Sequence, residues 1–238
     1  MKGAARSRAE FRASWWMLVV MVGLWSPFGA VSAGEFAVSA GTKMRAVIEP
    51  LDQETQRSMI GVTWREGCPV PLRDLRRVTV PFVDFGGTKR NGALVVHRDV
   101  AAAIGRIFVS LYSNGFPIAS IEPIESFAGD DDRSTMANNT SAFNCRPSFG
   151  ADGAPTRRWS QHAFGRAVDV NPVQNPYVLV DGSVLDPHAR RFVDRSLGEP
   201  GMATRAGVLV QAFAGEGWKW GGNWRSTKDY QHFSVTGR

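Results

Sequence analysis

The chain has 238 residues, with 28 Lys+Arg against 22 Asp+Glu, 43% apolar residues, 25 Gly, 13 Pro and 2 Cys. That length can bury a sizeable core in one domain or two small ones, and the apolar fraction is too high and the charge too modest for a disordered chain. Two cysteines build neither a disulfide-rich scaffold nor an all-cysteine zinc module, and no apolar run sustains a transmembrane bundle.

In chain order, residues 1–33 read as an export signal. Lys2, Arg6, Arg8 and Arg12 make a basic start with Glu10 as its one acid, residues 15–25 are apolar, and Ser26-Pro27 breaks that run. Val31-Ser32-Ala33 then offers small residues at the −3 and −1 cleavage positions. The alternative is an uncleaved anchor over residues 14–33, which carry no charge. Removing residues 1–33 takes away four basic residues and one acid, leaving 24 against 21, a net +3. That mild excess suits a soluble protein working near an anionic envelope polymer, in the periplasm or outside the cell, and makes no case for nucleic acid. In that compartment Cys68 and Cys145 can pair, closing a long loop worth about 4 kcal/mol of chain entropy; two buried free thiols are the alternative.

Residues 34–57 are polar, without a clear period, and are expected to form a loose lead-in. From Met59 onward no linker divides the chain and no repeat appears, so residues 58–238 read as one domain. Residues 78–85 are β-rich and end at the turn Gly86-Gly87, with residues 93–97 as the partner strand. Asp99 can cap a helix in which Val100, Ile104, Ile107, Phe108 and Leu111 recur at helical spacing, and Asn114-Gly115 stops it. Residues 118–127 return to strand. Residues 128–158, rich in Asp, Asn, Gly, Ser and Arg, read as a long excursion, which in a compact domain is usually functional or mobile. A second helix over 203–216 and short strands near 218–220 and 232–235 complete an α+β pattern: one domain with a mainly antiparallel sheet flanked by helices.

The histidines are His97, His162, His188 and His232. His162 precedes a Gly-containing turn and can face Asp169 once residues 167–169 form a strand. His232 can add a third ligand from the last strand, giving the two imidazoles and one carboxylate of an open catalytic metal site. Asp229, three residues before His232, can then contact a water without being a ligand. By spacing alone, a surface histidine bonded to a nearby carboxylate is the commoner arrangement. His97 at a strand end and His188 in Asp-Pro-His lack metal-ligand context.

The stretch from Ser160 to Asp169 fits S-x-H-x-x-G-x-A-x-D at every fixed position, and Asp229 to His232 fits D-x-x-H. Together they resemble the zinc D-alanyl-D-alanine carboxypeptidase and L-alanyl-D-glutamate endopeptidase family. Val170-Asn171-Pro172, the Gly217–Gly222 run and Phe143-Asn144-Cys145-Arg146 are similar too, so the resemblance covers roughly residues 58–236. It implies the Hedgehog/DD-peptidase fold, with one zinc ion on His162, Asp169 and His232. It also implies a catalytic carboxylate at Asp229 and a substrate-holding, charge-stabilising arginine at Arg146. The gap from Arg146 to His162 is longer than the family pattern, which leaves Arg133 as a second candidate. Ser160 is a candidate for orienting substrate or site.

The implied partner is a peptidoglycan stem peptide, with no nucleic acid and no membrane beyond the export segment. Release of a terminal D-Ala is slightly favoured over an internal L-Ala–D-Glu cut. A non-catalytic wall-binding zinc module is a rival that Asp229 disfavours. A non-haem iron triad fits poorly, because six residues separate His162 from Asp169. Asp130-Asp131-Asp132 read as solvated acids, and Trp218, Trp220 and Trp224 as either packing or a substrate wall. The sequence specifies no oligomeric state.

Overall fold

The structure is a computed structural model that describes residues 45–150 and 154–238. The export signal expected over 1–33, and its alternative as an anchor over 14–33, lie outside the described residues. Among those described, no helix is long and apolar enough to cross a membrane.

The first layer is an antiparallel sheet of β1 (Val47–Pro50), β2 (Leu75–Val83) and β3 (Lys89–His97) in that order, with α1 (Gln53–Met59) between β1 and β2. In β2, Val78, Val80 and Phe82 are buried at every second position and face the main core, whereas Leu75 belongs to a second, smaller cluster. α2 (Arg98–Ser113) covers that face with a stripe of Val100, Ile104, Ile107, Phe108 and Leu111. Its cap is His97, whose Nδ1 accepts the Asp99 amide at 3.3 Å.

β1 and α1 occupy part of the stretch expected to be a loose lead-in. Every residue of β1 is exposed, so its order comes from backbone pairing with β2, Val47 opposite Thr79 through Pro50 opposite Arg76. Such an edge strand carries no apolar alternation. α1 is capped by Asp52, which accepts the Thr55 amide at 2.7 Å, and buries Met59 alone.

Two further expectations are corrected. Residues 118–127 do not form a strand throughout. Only β4 (Ser120–Ile121) does, and Pro123, with no amide to donate, starts the 3-10 turn Ile124–Phe127. The long excursion over 128–158 contains α3 (Asp131–Met136), β5 (Asn139–Thr140) and the hairpin of β6 (Pro147–Phe149) with β7 (Pro155–Trp159). Polar bonds order it. The buried Asn139 amide donates to the Glu122 carbonyl (2.9 Å) and Ser134 Oγ (3.0 Å), and its oxygen accepts from Ser120 Oγ (2.7 Å). No hydrophobic period announces such a network.

The second half supplies β8 (Ala167–Asp169), β9 (Tyr177–Val178), α4 (Val208–Gly215), β10 (Lys219–Trp220), β11 (Lys228–Asp229) and β12 (His232–Ser234). β12 lies between β10 and β8, antiparallel to both, and β11 pairs with β9. α4 starts later than expected, after Gly207. Its Phe213 stacks on Phe233 at 4.1 Å and meets Phe108 and Trp218 edge-on at 6.4 and 5.6 Å. That ring ties the helical layer to the second sheet. The described residues are thus α+β with mostly antiparallel pairing, as the sequence pattern predicts. A smaller cluster of Leu51, Met59, Val70, Leu75, Val95 and Phe143 packs with Cys145, which is disulfide-bonded to Cys68.

Candidate metal centre

β8 and β12 pair Asp169 directly with His232. Their side chains therefore leave the same face of the sheet, close enough to meet. His162 arrives from outside the sheet, on the 3-10 turn Gln161–Phe164. Ser160 caps that turn by accepting the His162 amide at 3.3 Å, and Gly165 ends it at φ +63°. A Cβ on Gly165 would lie 2.6 Å from the His97 amide nitrogen, so the motif glycine serves both the turn and its close seating on β3.

A short extended segment, residues 141–146, ties these pieces together. Ser141 exchanges amide–carbonyl bonds with Asp169 (3.0 and 2.9 Å), and the Asn144 amide bonds the His162 carbonyl at 3.3 Å. The Ala142 carbonyl accepts from His162 Nδ1 at 2.5 Å. Since a carbonyl can only accept, that bond puts the proton on Nδ1 and points the Nε2 lone pair inward. His232 is fixed the same way, with Nε2 donating to the Arg238 backbone oxygen at 3.1 Å and Nδ1 turned to the cluster. Orientation of a ligating imidazole through its second nitrogen is the usual support of a metal site.

The three side chains form a group able to hold a cation. His162 Nε2 is 3.1 Å from Asp169 Oδ2, His232 Nδ1 is 3.0 Å from Asp169 Oδ1, and the two ring nitrogens are 3.2 Å apart. Donors placed tetrahedrally at about 2.0–2.1 Å from one centre would be about 3.3 Å apart. The donor set and its spacing fit zinc with one coordination position left open.

All four ionisable groups here are shifted. For Asp169, burial would raise the pKa, but the charges and hydrogen bonds of His162 and then His232 outweigh it and hold the carboxyl far below its usual range. His162 is held down by burial against the pull of Asp169. For His232, burial opposes protonation, but the hydrogen bond and charge of Asp169, with Asp229 behind, carry it above the ordinary value. Asp229 is pushed up to about 7, by burial first and then by the Asp169 charge. Its Oδ1 is buried without a hydrogen-bond partner, although β11 stands at the cleft wall. A buried carboxyl oxygen left unbonded is costly unless a water or ligand answers it.

Arg146 and Ser160 line the same cleft, whose volume is about 1040 Å³. Arg146 forms an ion pair with Asp131, and its guanidinium lies 5.0 Å from the Phe149 ring centroid. Burial lowers its pKa against the opposing charges of Asp169 and Asp229. Arg133 is exposed on α3 and is absent from the cleft lining. Asp131 is therefore not the solvated acid expected, because it holds Arg146 and accepts from Asn144 Nδ2 at 2.8 Å. Asp130 caps α3. Trp218 and Trp220 are buried in the core, whereas Trp224 lines the cleft with its ring 5.5 Å from that of His232.

Three contributors were given no role from the sequence. Ala142 acts through a carbonyl, which any residue supplies. A Cβ on Gly221 would sit 2.6 Å from the Asp229 carbonyl oxygen and 3.2 Å from His232 Cβ, so β11 and β12 pack against its bare backbone. The Arg195 guanidinium lies 4.5 Å from the Tyr230 ring centroid and donates to the Gln174, Phe192 and Ala203 carbonyls and to Asn175 Oδ1 at 2.6–2.8 Å. It braces the short bend joining Asp229 to His232. The Gly217–Gly222 run pointed at Gly221 without giving the reason.

This α+β domain seats two imidazoles and a carboxylate close enough to share a cation, beside an unpaired buried carboxyl. Residues 154–235 match the family model described as D-alanyl-D-alanine carboxypeptidase. That segment includes His162, Asp169, Asp229 and His232, so the peptidase-family resemblance read from the sequence is shown where those four residues lie. Arg146 and the disulfide fall outside it. No curated protein and no solved structure matches the chain.

Proposed function

We propose that the protein is an exported zinc peptidase that hydrolyses the peptide stems of peptidoglycan and releases a terminal D-alanine. The observation that carries this reading is the convergence of His162, Asp169 and His232 beside the unpartnered Oδ1 of Asp229. The matched family description supports the carboxypeptidase reaction. The Cys68–Cys145 disulfide supports an oxidising compartment, in keeping with the export signal expected from residues 1–33.

His162, Asp169 and His232 would hold the ion, kept in register by the Ala142 and Arg238 oxygens. When bound, zinc supplies Lewis acidity that polarises a scissile carbonyl and brings the pKa of a water toward about 7. Asp229 accepts the attacking water's proton and returns it to the leaving amine, a base and then an acid within one turnover. Its raised pKa suits both duties, and ionisation to the carboxylate needed first would be eased by a cation held at the three ligands. Arg146 faces the charge that develops on the carbonyl oxygen, where one preorganised donor is worth about 3–4 kcal/mol. Asp131 holds the guanidinium in place for this.

Incubation of zinc-loaded protein with defined muropeptides, with and without a chelator, tests the reading by mass spectrometry. Chelator-sensitive loss of terminal D-Ala is the expected result. An internal L-Ala–D-Glu cut would keep the chemistry and change the bond. Zinc-replete protein that cuts nothing would leave a wall-binding module.

A further inference from the structure

Among the described residues the exposed aromatic side chains are Phe85, Phe149 and Trp159, and two of these stand on one hairpin. β6 and β7 set Pro147 opposite Trp159 and Phe149 opposite Pro155, and both rings line the cleft that holds the candidate metal centre. Neither ring belongs to a hydrophobic core cluster. The hairpin is held instead by its own bonds, with the Gly150 amide on the Ala154 carbonyl (2.7 Å) and the Ser148 and Thr156 hydroxyls 2.7 Å apart. Arg146 packs on Phe149, so that ring is oriented before any ligand arrives. Trp159 directly precedes Ser160, the cap of the turn that carries His162.

We propose that this hairpin is a sugar-binding platform on which Trp159 and Phe149 stack against a pyranose ring of the glycan bearing the stem peptide. The inference rests on the peptidase reading above and narrows its substrate to glycan-linked peptide. A pyranose has a flat C–H face and a polar rim. The hairpin offers the complement, with the two apolar rings and the Arg158 guanidinium on the cleft, while the Ser148 and Thr156 hydroxyls are taken up by each other and by the Arg158 backbone. Arg158 has no ion-pair partner among the described residues, so its donors are free for ring hydroxyls and acetamido carbonyls. At about 1040 Å³ the cleft is at the top of the range that holds drug-sized ligands, more than a terminal dipeptide fills. In an extended stem, a bond four residues from the sugar lies within about 14 Å of it, so one substrate molecule can occupy metal centre and platform together.

The test compares a disaccharide-linked stem peptide with the same peptide lacking sugar. Wild-type protein should favour the glycan-linked form by about tenfold in kcat/KM. Trp159→Ala and Phe149→Ala should each bring that ratio toward one, chiefly through KM, with zinc content retained. In parallel, the N-acetylglucosamine–N-acetylmuramic acid disaccharide alone is titrated into the protein by NMR, and Trp159→Ala should weaken its binding about tenfold. Equal kcat/KM on both substrates would overturn the platform while leaving the peptidase reading intact. So would disaccharide binding that survives both substitutions, or a solution dimer that Trp159→Ala dissociates. If neither peptide is cut but disaccharide binding still requires Trp159, the peptidase reading fails and the platform stands.

Discussion

Asp229 and Asp169 show how surroundings fit one side-chain type to two proposed roles. Asp169 sits between two imidazoles that hold it ionised, the state a metal ligand needs. Asp229 is buried beside that charge with one oxygen unanswered, the state a proton carrier needs. Asp229→Asn should therefore retain zinc by metal analysis while lowering kcat by about 10²–10⁴-fold. Loss of the metal in that variant would make Asp229 a ligand instead. His162→Ala should lose both zinc and turnover, and full zinc occupancy by mass spectrometry would remove His162 from the centre. Both candidate positions were legible in the sequence because they stand in the two motifs that resemble the peptidase family. Ser160 was legible only as a motif position, and its bond to the His162 amide gives it a capping duty.

Among the elements, β11, β12 and the 3-10 turn Gly221–Asn223 form the tightest fit in the site. Gly221→Ala would drive a methyl group into the Asp229 backbone and against His232 Cβ. The expected result is about 1–3 kcal/mol of lost stability, read as a lower melting temperature, with weaker zinc retention. An unchanged melting temperature and zinc content would show that this turn yields freely. α2 was legible from the period of its apolar residues, and β2 and β3 from β-rich runs on either side of the Gly86-Gly87 turn. β1, α3 and β5 were not, since edge pairing, a side-chain cap and the Asn139 network stabilise them without a hydrophobic pattern. Residues 118–127 misled in the opposite direction, because their apolar content suggested a strand that Pro123 interrupts.

Over the whole molecule, the Cys68–Cys145 bond links residues 77 apart and fastens the segment that carries Ala142 and Arg146. Cys68→Ser should cost about 4 kcal/mol of stability in the chain-entropy view, a fall of roughly 8–16 °C in melting temperature by calorimetry. No change would mean that the unfolded chain gains little freedom on losing the bond. A second global effect comes from Glu125, which accepts from the Thr63 hydroxyl and whose pKa burial raises. A carboxyl with a raised folded-state pKa binds more protons in the folded than in the unfolded chain. Its favourable contribution is therefore complete below the unfolded value and is lost as pH rises through the folded one. Glu125→Gln should be more stable than wild type near pH 7 and lose that advantage toward pH 4, measured by thermal melts across pH. A constant difference at every pH would remove the Glu125 charge as the cause.

The sequence by itself determined the α+β class and the main helix–sheet layer, because apolar period is a local property written along the chain. It also pointed to the four residues of the candidate centre, because Ser160–Asp169 and Asp229–His232 fit two family motifs, whereas their spacing alone left a plain histidine–carboxylate pair open. Only the tertiary structure decided how they act. It chose the ring nitrogens through two backbone oxygens, left Asp229 Oδ1 unpartnered, gave Arg146 rather than Arg133 to the cleft, and packed β11 and β12 closely against Gly221. Those outcomes depend on carbonyls, close approaches and buried neighbours brought together from distant parts of the chain.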